Sequence, residues 1–417
     1  MNRFLVFATL FTLLVNFAFG QQPQRCATTS YNKLVEQKNP ALAERRAAFN
    51  LAAEKMVSEK KFKNSRDLIT IPVVVHVIYR TNLENISDAQ IQSQIDVLNE
   101  DFSRLNADTS ISPTVWRDTA ADTGIRFCLA SRKPNGDWTN GIERRQNLNV
   151  MSWAPDDAMK FYNSGGLDVW DSQNYLNIWV CNLSGNFLGY TTFPGGDSLI
   201  DGVVVKSRAF GRVEFVAPPF DLGRTATHEV GHWLFLFHIW GDDAGSCLGT
   251  DLIDDTPNQA DATQGCPAFP AYDNCSLTYP GIMFMNYMDY TNDACMNIFT
   301  IGQANRMHTV IDTFRAPLLT SLGCTAPNNI NEIEGSRSIT IYPNPVQKEI
   351  RFRCDDCGSE KISVSIFDIT GKGIFEMNNY SFSLSSSIDI SSIEDGVYFL
   401  KLTGQRFSLA ERFVLIR

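Results

Sequence analysis

The sequence predicts an α+β domain followed by a small all-β sandwich. Three observations lead there. A β-branched run at residues 71–79 reads as a buried strand. Helical and strand periodicities then alternate through most of the chain. After residue 338 only period-two patterns between turn residues remain. The 417 residues suggest two or three domains, and an apolar fraction of 44% supplies a sizeable core. The formal net charge of -10 argues against a nucleic-acid partner, because phosphate binding wants clustered Lys and Arg, and no basic stripe lies beyond the first 66 residues.

The first element is a targeting segment. Arg3 gives a positive start, residues 4–19 are largely apolar, and Ala18 and Gly20 place small residues where a signal peptidase reads. A membrane span is the competing reading, but the stretch is short for one and runs into polar Gln21-Gln22-Pro23. Residues 1–20 are therefore read as a signal peptide, and the mature chain is expected to be exported without a membrane span. Residues 21–65 read as a pro-segment. The stretch 40–63 is rich in Ala, Glu, Lys and Arg, which favours helix, and is too polar to form a core by itself. A helical linker is the alternative.

The α+β domain is expected at residues 66–324. After the strand at 71–79, Ser87 with Gln90 reads as a capping box, and Ile91, Ile95, Leu98 and Phe102 recur on one helical face. Strands are expected at 124–130, 175–182 and 201–206, with a helix over 225–235. A last helix starts near Thr300, with Gln303 completing a second capping box, and ends before Pro317. A linker is expected at 325–338 and the sandwich at 339–417, with strand patterns at 339–342, 362–367 and 396–402.

Export makes the ten cysteines interpretable. Cys247, Cys266, Cys275 and Cys295 read as two disulfides, for which three connectivities are open. Thiolate metal binding is weaker there, since no paired C-x-x-C units stand at finger spacing. No role is read for Cys128, Cys181 or Cys324, and the lone C-x-x-C of Cys354 and Cys357 suggests at most a local disulfide.

Three of the five histidines fall within eleven residues, at His228, His232 and His238. Four residues apart on a helix, His228 and His232 share a face and their ring nitrogens can converge. Glu229 points beside a metal held there, which suits a general base acting on water. Zinc needs a third protein ligand, and His238 can supply it only if the helix stops and the chain turns back. His76 and His308 are read as ordinary packed or surface histidines.

Here the sequence resembles the metzincin metalloproteases, whose long motif is H-E-x-x-H-x-x-G-x-x-H followed by a Met-turn. Within them it is most similar to the pappalysin group, in its bacterial cytophagalysin branch. The similarity rests on Thr225-Ala226-Thr227 before the motif, Ile239-Trp240-Gly241-Asp242 after it, Asn286-Tyr287-Met288-Asp289-Tyr290, Cys295-Met296-Asn297, Gly302-Gln303 and Arg306-Met307. The resemblance implies a metzincin-like catalytic domain, a twisted sheet with an active-site helix and a C-terminal helix. It implies zinc on His228, His232 and His238, and Glu229 as general base and acid. Met288 would be the floor beneath the metal and Tyr290 the tyrosine that steadies the tetrahedral intermediate. It also implies the bridges Cys247–Cys275 and Cys266–Cys295. One departure stands out: Phe235 occupies the place of the motif's glycine, where φ > 0 should cost a bulky residue on the order of 1 kcal/mol or more.

Asp242, Asp243, Asp251, Asp254, Asp255 and Thr256 make an oxygen-rich loop of the kind calcium takes, with a merely solvated loop as the alternative. Pappalysin-like enzymes bind structural calcium in this region, and Asp251, Asp254 and Thr256 are the expected ligands. Cys26, in Arg25-Cys26-Ala27-Thr28, resembles the cysteine switch of related zymogens, although Ala27 departs from their glycine; an unpaired leader cysteine is the alternative. Activation is expected to cut near Ser65-Arg66. The tail, from Tyr342-Pro343-Asn344-Pro345 to Phe413-Val414-Leu415-Ile416-Arg417, resembles the sorting domain of the type IX secretion system, which implies secretion machinery as a partner. The expectation is a secreted, latent zinc endopeptidase acting on proteins or peptides. A catalytically inactive binding protein on the same fold is the alternative. Specificity stays open, because the place of the acid that some relatives use to favour basic residues holds Ala294, with Asp293 beside it.

Overall fold

The computed structural model describes residues 25–59, 68–327, 339–354, 361–369, 371–381, 385–403 and 408–417. The expected signal peptide, the cut near Ser65-Arg66, most of the linker and Cys357 lie outside them. The chain forms two compact units, one ending at Ala326 and one starting at Pro327.

The first unit opens with α1 (Thr28–Lys38) and α2 (Pro40–Glu59). Pro40 separates them, since it disfavours helix in the preceding residue yet suits the first turn of the next. The helices are polar overall, but Leu42, Arg46, Phe49 and Ala53 are buried at helical spacing. This narrow stripe lets a segment with no core of its own lie on another surface.

Next come β1 (Ile69–Tyr79), α3 (Asp88–Phe102), β2 (Ile125–Leu129), β3 (Ile142–Gln146), β4 (Leu176–Cys181), β5 (Gly189–Thr191), β6 (Val203–Lys206), α4 (Arg224–Trp233) and α5 (Ile301–Phe314). The sheet runs β2-β1-β4-β6-β5, with β3 also on β1. All pairs are parallel except β5 with β6. One face of β1 (Ile71, Val73, Val75, Val77) packs with Ile91, Ile95, Leu98 and Phe102 of α3 and Ala226, Val230 and Trp233 of α4. The opposite face carries Trp179, Tyr190 and Val204, against which Tyr31 of α1 packs.

Two strands of this unit were not expected. β3 reads Ile-Glu-Arg-Arg-Gln with no apolar alternation, and β5 is three residues long. The capping box at Ser87 is only half formed: Ser87 Oγ accepts from Gln90 N–H, but Gln90 Oε1 accepts instead from Phe215 N–H, while its amide N–H groups donate to the carbonyls of Ser207 and Phe210. At Thr300 both bonds of the box with Gln303 are present. Disulfides join Cys247 to Cys275, Cys266 to Cys295, and Cys128 to Cys324 across 196 residues.

The second unit is all β: β7 (Ile339–Tyr342), β8 (Glu349–Cys354), β9 (Lys361–Asp368), β10 (Gly373–Ser381), β11 (Ser385–Asp389), β12 (Gly396–Thr403) and β13 (Ser408–Leu415). They form two antiparallel sheets, β10-β9-β12-β13 and β11-β8-β7. Ile350, Phe352, Val364, Ile366, Leu400, Leu402 and Phe413 share one core, as period-two alternation requires.

Candidate metal centre

α4 is buried along its whole length and carries His228 and His232 one turn apart. His238 returns to them: His232 Nε2 lies 3.1 Å from His228 Nε2 and 3.0 Å from His238 Nε2. Each ring spends its other nitrogen as a donor. Nδ1–H of His228 donates to Tyr287 O (2.7 Å), that of His232 to Leu236 O (2.8 Å), and that of His238 to the Asp242 carboxylate (2.9 Å). Burial, and after it the neighbouring imidazoles, holds His228 and His232 well below the usual imidazole range. Their Nε2 atoms are therefore lone-pair donors facing one another, which repel unless a cation sits between them. With Cys26 Sγ, all four donor atoms lie within 4.8 Å of one another. A buried set of three imidazoles and one sulfur fits a tetrahedral divalent metal ion.

The return to His238 is made at Phe235, which takes φ +65°. Phe235 N–H donates to His232 O and Leu236 N–H to Gly231 O, so α4 closes in a Schellman motif with phenylalanine where glycine is usual. Left-handed backbone costs an L-residue about 1–2 kcal/mol. Full burial of a phenylalanine side chain contributes roughly 1.5–3 kcal/mol, and Phe235 is 1% exposed. Its ring meets Phe193, Phe237 and Phe49 at 5.2–5.4 Å. Arg306 of α5 donates from Nε to Phe235 O (2.7 Å), and its guanidinium lies 5.1 Å from the ring. The substitution is thus offset by packing and by Arg306.

Met288 lies beneath α4, its sulfur so close that a Cβ at Gly231 would come within 2.5 Å. Tyr290 packs on His238, with ring centroids 5.0 Å apart, and its hydroxyl donates to Cys26 O. Glu229 is fully buried, and burial pushes its carboxyl up to about 8, opposed by hydrogen bonds from Thr28 and Cys26. Thr28 Oγ1 donates to Glu229 Oε2 at 2.8 Å. Arg25 pairs with buried Asp293 at 3.2 Å. The N-terminal segment thus reaches the histidines, the carboxylate and Asp293 within four residues.

The oxygen-rich loop is divided among several tasks. Asp242 orients His238, Asp243 accepts from the backbone of its own loop, and Asp255 accepts from Thr300 Oγ1 and Gly302 N–H at the start of α5. Asp251, Asp254 and Thr256 line one cleft, where Thr256 Oγ1 donates to Asp251 (2.8 Å). Sequence reasoning missed Thr28, Arg306 and the orienting role of Asp242. Only the last had a local signal, its spacing of four from His238.

A family model described as pregnancy-associated plasma protein-A, a peptidase family, matches residues 165–312, and a secretion-system C-terminal sorting domain matches residues 340–416. The chain is similar to mature mirolysin of Tannerella forsythia, solved with a cleaved peptide: 51% identity, 63% of this chain and 100% of that one, TM-score 0.62. It is similar to a promirolysin mutant of the same organism at 46% identity, covering 71% of this chain and 97% of that one, TM-score 0.66. It also matches an extracellular metalloprotease of Trichophyton verrucosum at 34% identity over 60% of this chain and 79% of the relative. No helix among the described residues is long and apolar enough to cross a membrane. With a buried donor set for a metal ion in its first unit and a sorting domain in its second, the chain belongs to the pappalysin family of metzincin metalloproteases and is a secreted metalloendopeptidase.

Proposed function

We propose that the chain is made as a latent zinc endopeptidase, with Glu229 as general base and residues 21–65 as the inhibitory pro-segment. The convergence of His228, His232, His238 and Cys26 on one point, with Glu229 beside them, carries this reading. Zinc bound there supplies Lewis acidity toward the scissile carbonyl and the attacking water. Glu229 takes the water's proton and later gives it to the leaving amine. Tyr290 steadies the developing oxyanion from beside His238. Cys26 fills the position that water needs, and Thr28 occupies Glu229. Removal of Arg25 leaves the buried Asp293 carboxylate for a basic side chain of the substrate. Asp251, Asp254 and Thr256 hold calcium on this reading, and residues 339–417 engage the type IX machinery.

The test is a set of full-length variants assayed on a peptide mixture after proteolytic activation, with zinc measured in the same samples. Glu229→Gln should keep one zinc per chain and lose hydrolysis by about a thousandfold or more. Cys26→Ala should be active before any cut. Undiminished hydrolysis by Glu229→Gln would sink the assignment of the base, and full latency of Cys26→Ala would sink that of the switch.

A further inference from the structure

The outer edge of β5 is what the N-terminal segment covers. Leu188 O accepts from Lys206 N–H and Thr192 N–H donates to Gly202 O, so within β5 Tyr190 turns its backbone to β6 while Gly189 and Thr191 face outward; just before the strand, Leu188 N–H also donates outward, to Arg25 O at 3.0 Å. The segment partners each outward group in turn. Gly189 N–H donates to Arg25 O, and Ala27 N–H donates to Gly189 O. Thr191 N–H donates to Thr28 Oγ1, the Asn32 amide donates to Thr191 O, and Phe193 N–H donates to Asn32 Oδ1. Side chains of a helix here satisfy an edge that an extended peptide would satisfy with its backbone.

Such a peptide would place one residue directly opposite Tyr190. For a peptide running antiparallel to β5 this would be a non-hydrogen-bonded pair, because Tyr190 turns its own backbone toward β6, and facing side chains in such pairs come within about 4.5–5.5 Å. That space is now filled by Tyr31, whose ring centroid lies 4.9 Å from that of Tyr190. Its surroundings are chemically specific. Tyr31 O–H donates to Asp157 Oδ2 at 2.6 Å. The Lys160 ammonium lies 5.5 Å from the Tyr31 ring centroid, held by Asp157 and by Ile200 O at 2.7 Å each. Asp157 sits at φ +70°, a conformation that non-glycine residues retain mainly where their surroundings over-determine it. These groups belong to the catalytic unit and lie on the face of β5 away from Glu229, since a Cβ at neighbouring Gly189 would meet Glu229 Cγ at 2.8 Å.

We propose that Tyr190, Lys160 and Asp157 form a substrate subsite for a phenolic side chain, filled in the latent chain by Tyr31. The proposal rests on the reading of residues 21–65 as a removable pro-segment. The aromatic wall and the ammonium accept any ring, and the Asp157 carboxylate selects the one that can donate. A hydrogen bond to a charged group discriminates by on the order of tenfold or more.

The test is a positional peptide library cleaved by the proteolytically activated full chain. Tyr, Phe and Leu are varied at each place on both sides of the cut, and kcat/KM ratios are read by mass spectrometry. At one place Tyr should exceed Phe about tenfold, and Phe should exceed Leu. Asp157→Asn should bring the Tyr:Phe ratio toward one at that place, a ratio independent of how much enzyme folds. In the full chain Tyr31→Phe should lose latency faster under limited proteolysis. A library cleaved with equal use of Tyr and Phe everywhere would overturn the subsite and leave the protease reading intact. Discrimination that survives Asp157→Asn would overturn the role of the carboxylate. No cleavage of any peptide would overturn the protease reading and this proposal with it.

Discussion

α4 and the segment that follows it supply the same centre by opposite means. Within α4, helical repeat alone puts His228 and His232 on one face, and the helix would present them in any well-packed setting. From Leu234 onward nothing is self-supporting. Phe235 holds an unfavourable backbone, Arg306 of α5 grips its carbonyl, and Asp242 fixes the ring of His238. The difference separates candidate ligands placed by local geometry from one placed by distant partners. His238 should therefore be the ligand most sensitive to changes that touch no ligand.

The largest effects test whether the two regions really share one ion. His232→Ala and His238→Ala should each lose zinc from stoichiometric to near zero and abolish hydrolysis, as read by metal analysis on purified full-length chains. Full zinc retention by His238→Ala would break the comparison outright, since the return turn would then carry no ligand.

A smaller effect sharpens it. Arg306→Ala should weaken zinc binding about tenfold, within the range seen when groups supporting a ligand are removed. The cause would be release of the Phe235 carbonyl and loss of the cation over the ring. Phe235→Gly makes the turn without strain, so Arg306→Ala should cost much less in that background. The double-variant cycle is read by chelator competition for zinc. Strictly additive effects would show that Arg306 stabilises α5 rather than the turn.

The same division explains what could be read from the sequence. β1, α3, α4 and α5 were legible because apolar spacing and caps are local signals, and the sandwich was legible from alternation. β3 and β5 were not, because their pairing depends on β1 and β6 rather than on their own residues. At the centre, His228, Glu229 and His232 were legible from spacing, whereas His238 needed the family motif. Thr28 on Glu229 and Arg306 on Phe235 span 201 and 71 residues, and no pattern within either segment marks them. Phe235 looked like a defect because its compensation lies in α2, α5 and Phe193, all remote in sequence.

The smallest effect concerns Asp251, at the far end of the second region. Burial pushes its carboxyl up to about 8, opposed by Thr256 and by Ile253 N–H, with Arg306 lowering it and Asp255 raising it. Without a cation the folded chain keeps this group protonated to about that pH, whereas the unfolded chain ionises it near 3.8. Folding then holds an extra proton across this window. Its contribution to stability is full below the unfolded value and is lost as pH rises toward 8. Calcium takes the ionised form, so its binding must release that proton and should tighten as pH rises. The gain in Tm on adding calcium, measured at fixed zinc, should therefore be a few degrees at pH 8 and smaller at pH 5. Asp251→Asn should remove the difference. A calcium effect equal at both pH values, or unchanged in Asp251→Asn, would take Asp251 out of the ligand set and leave its bond to Thr256 as packing within the loop.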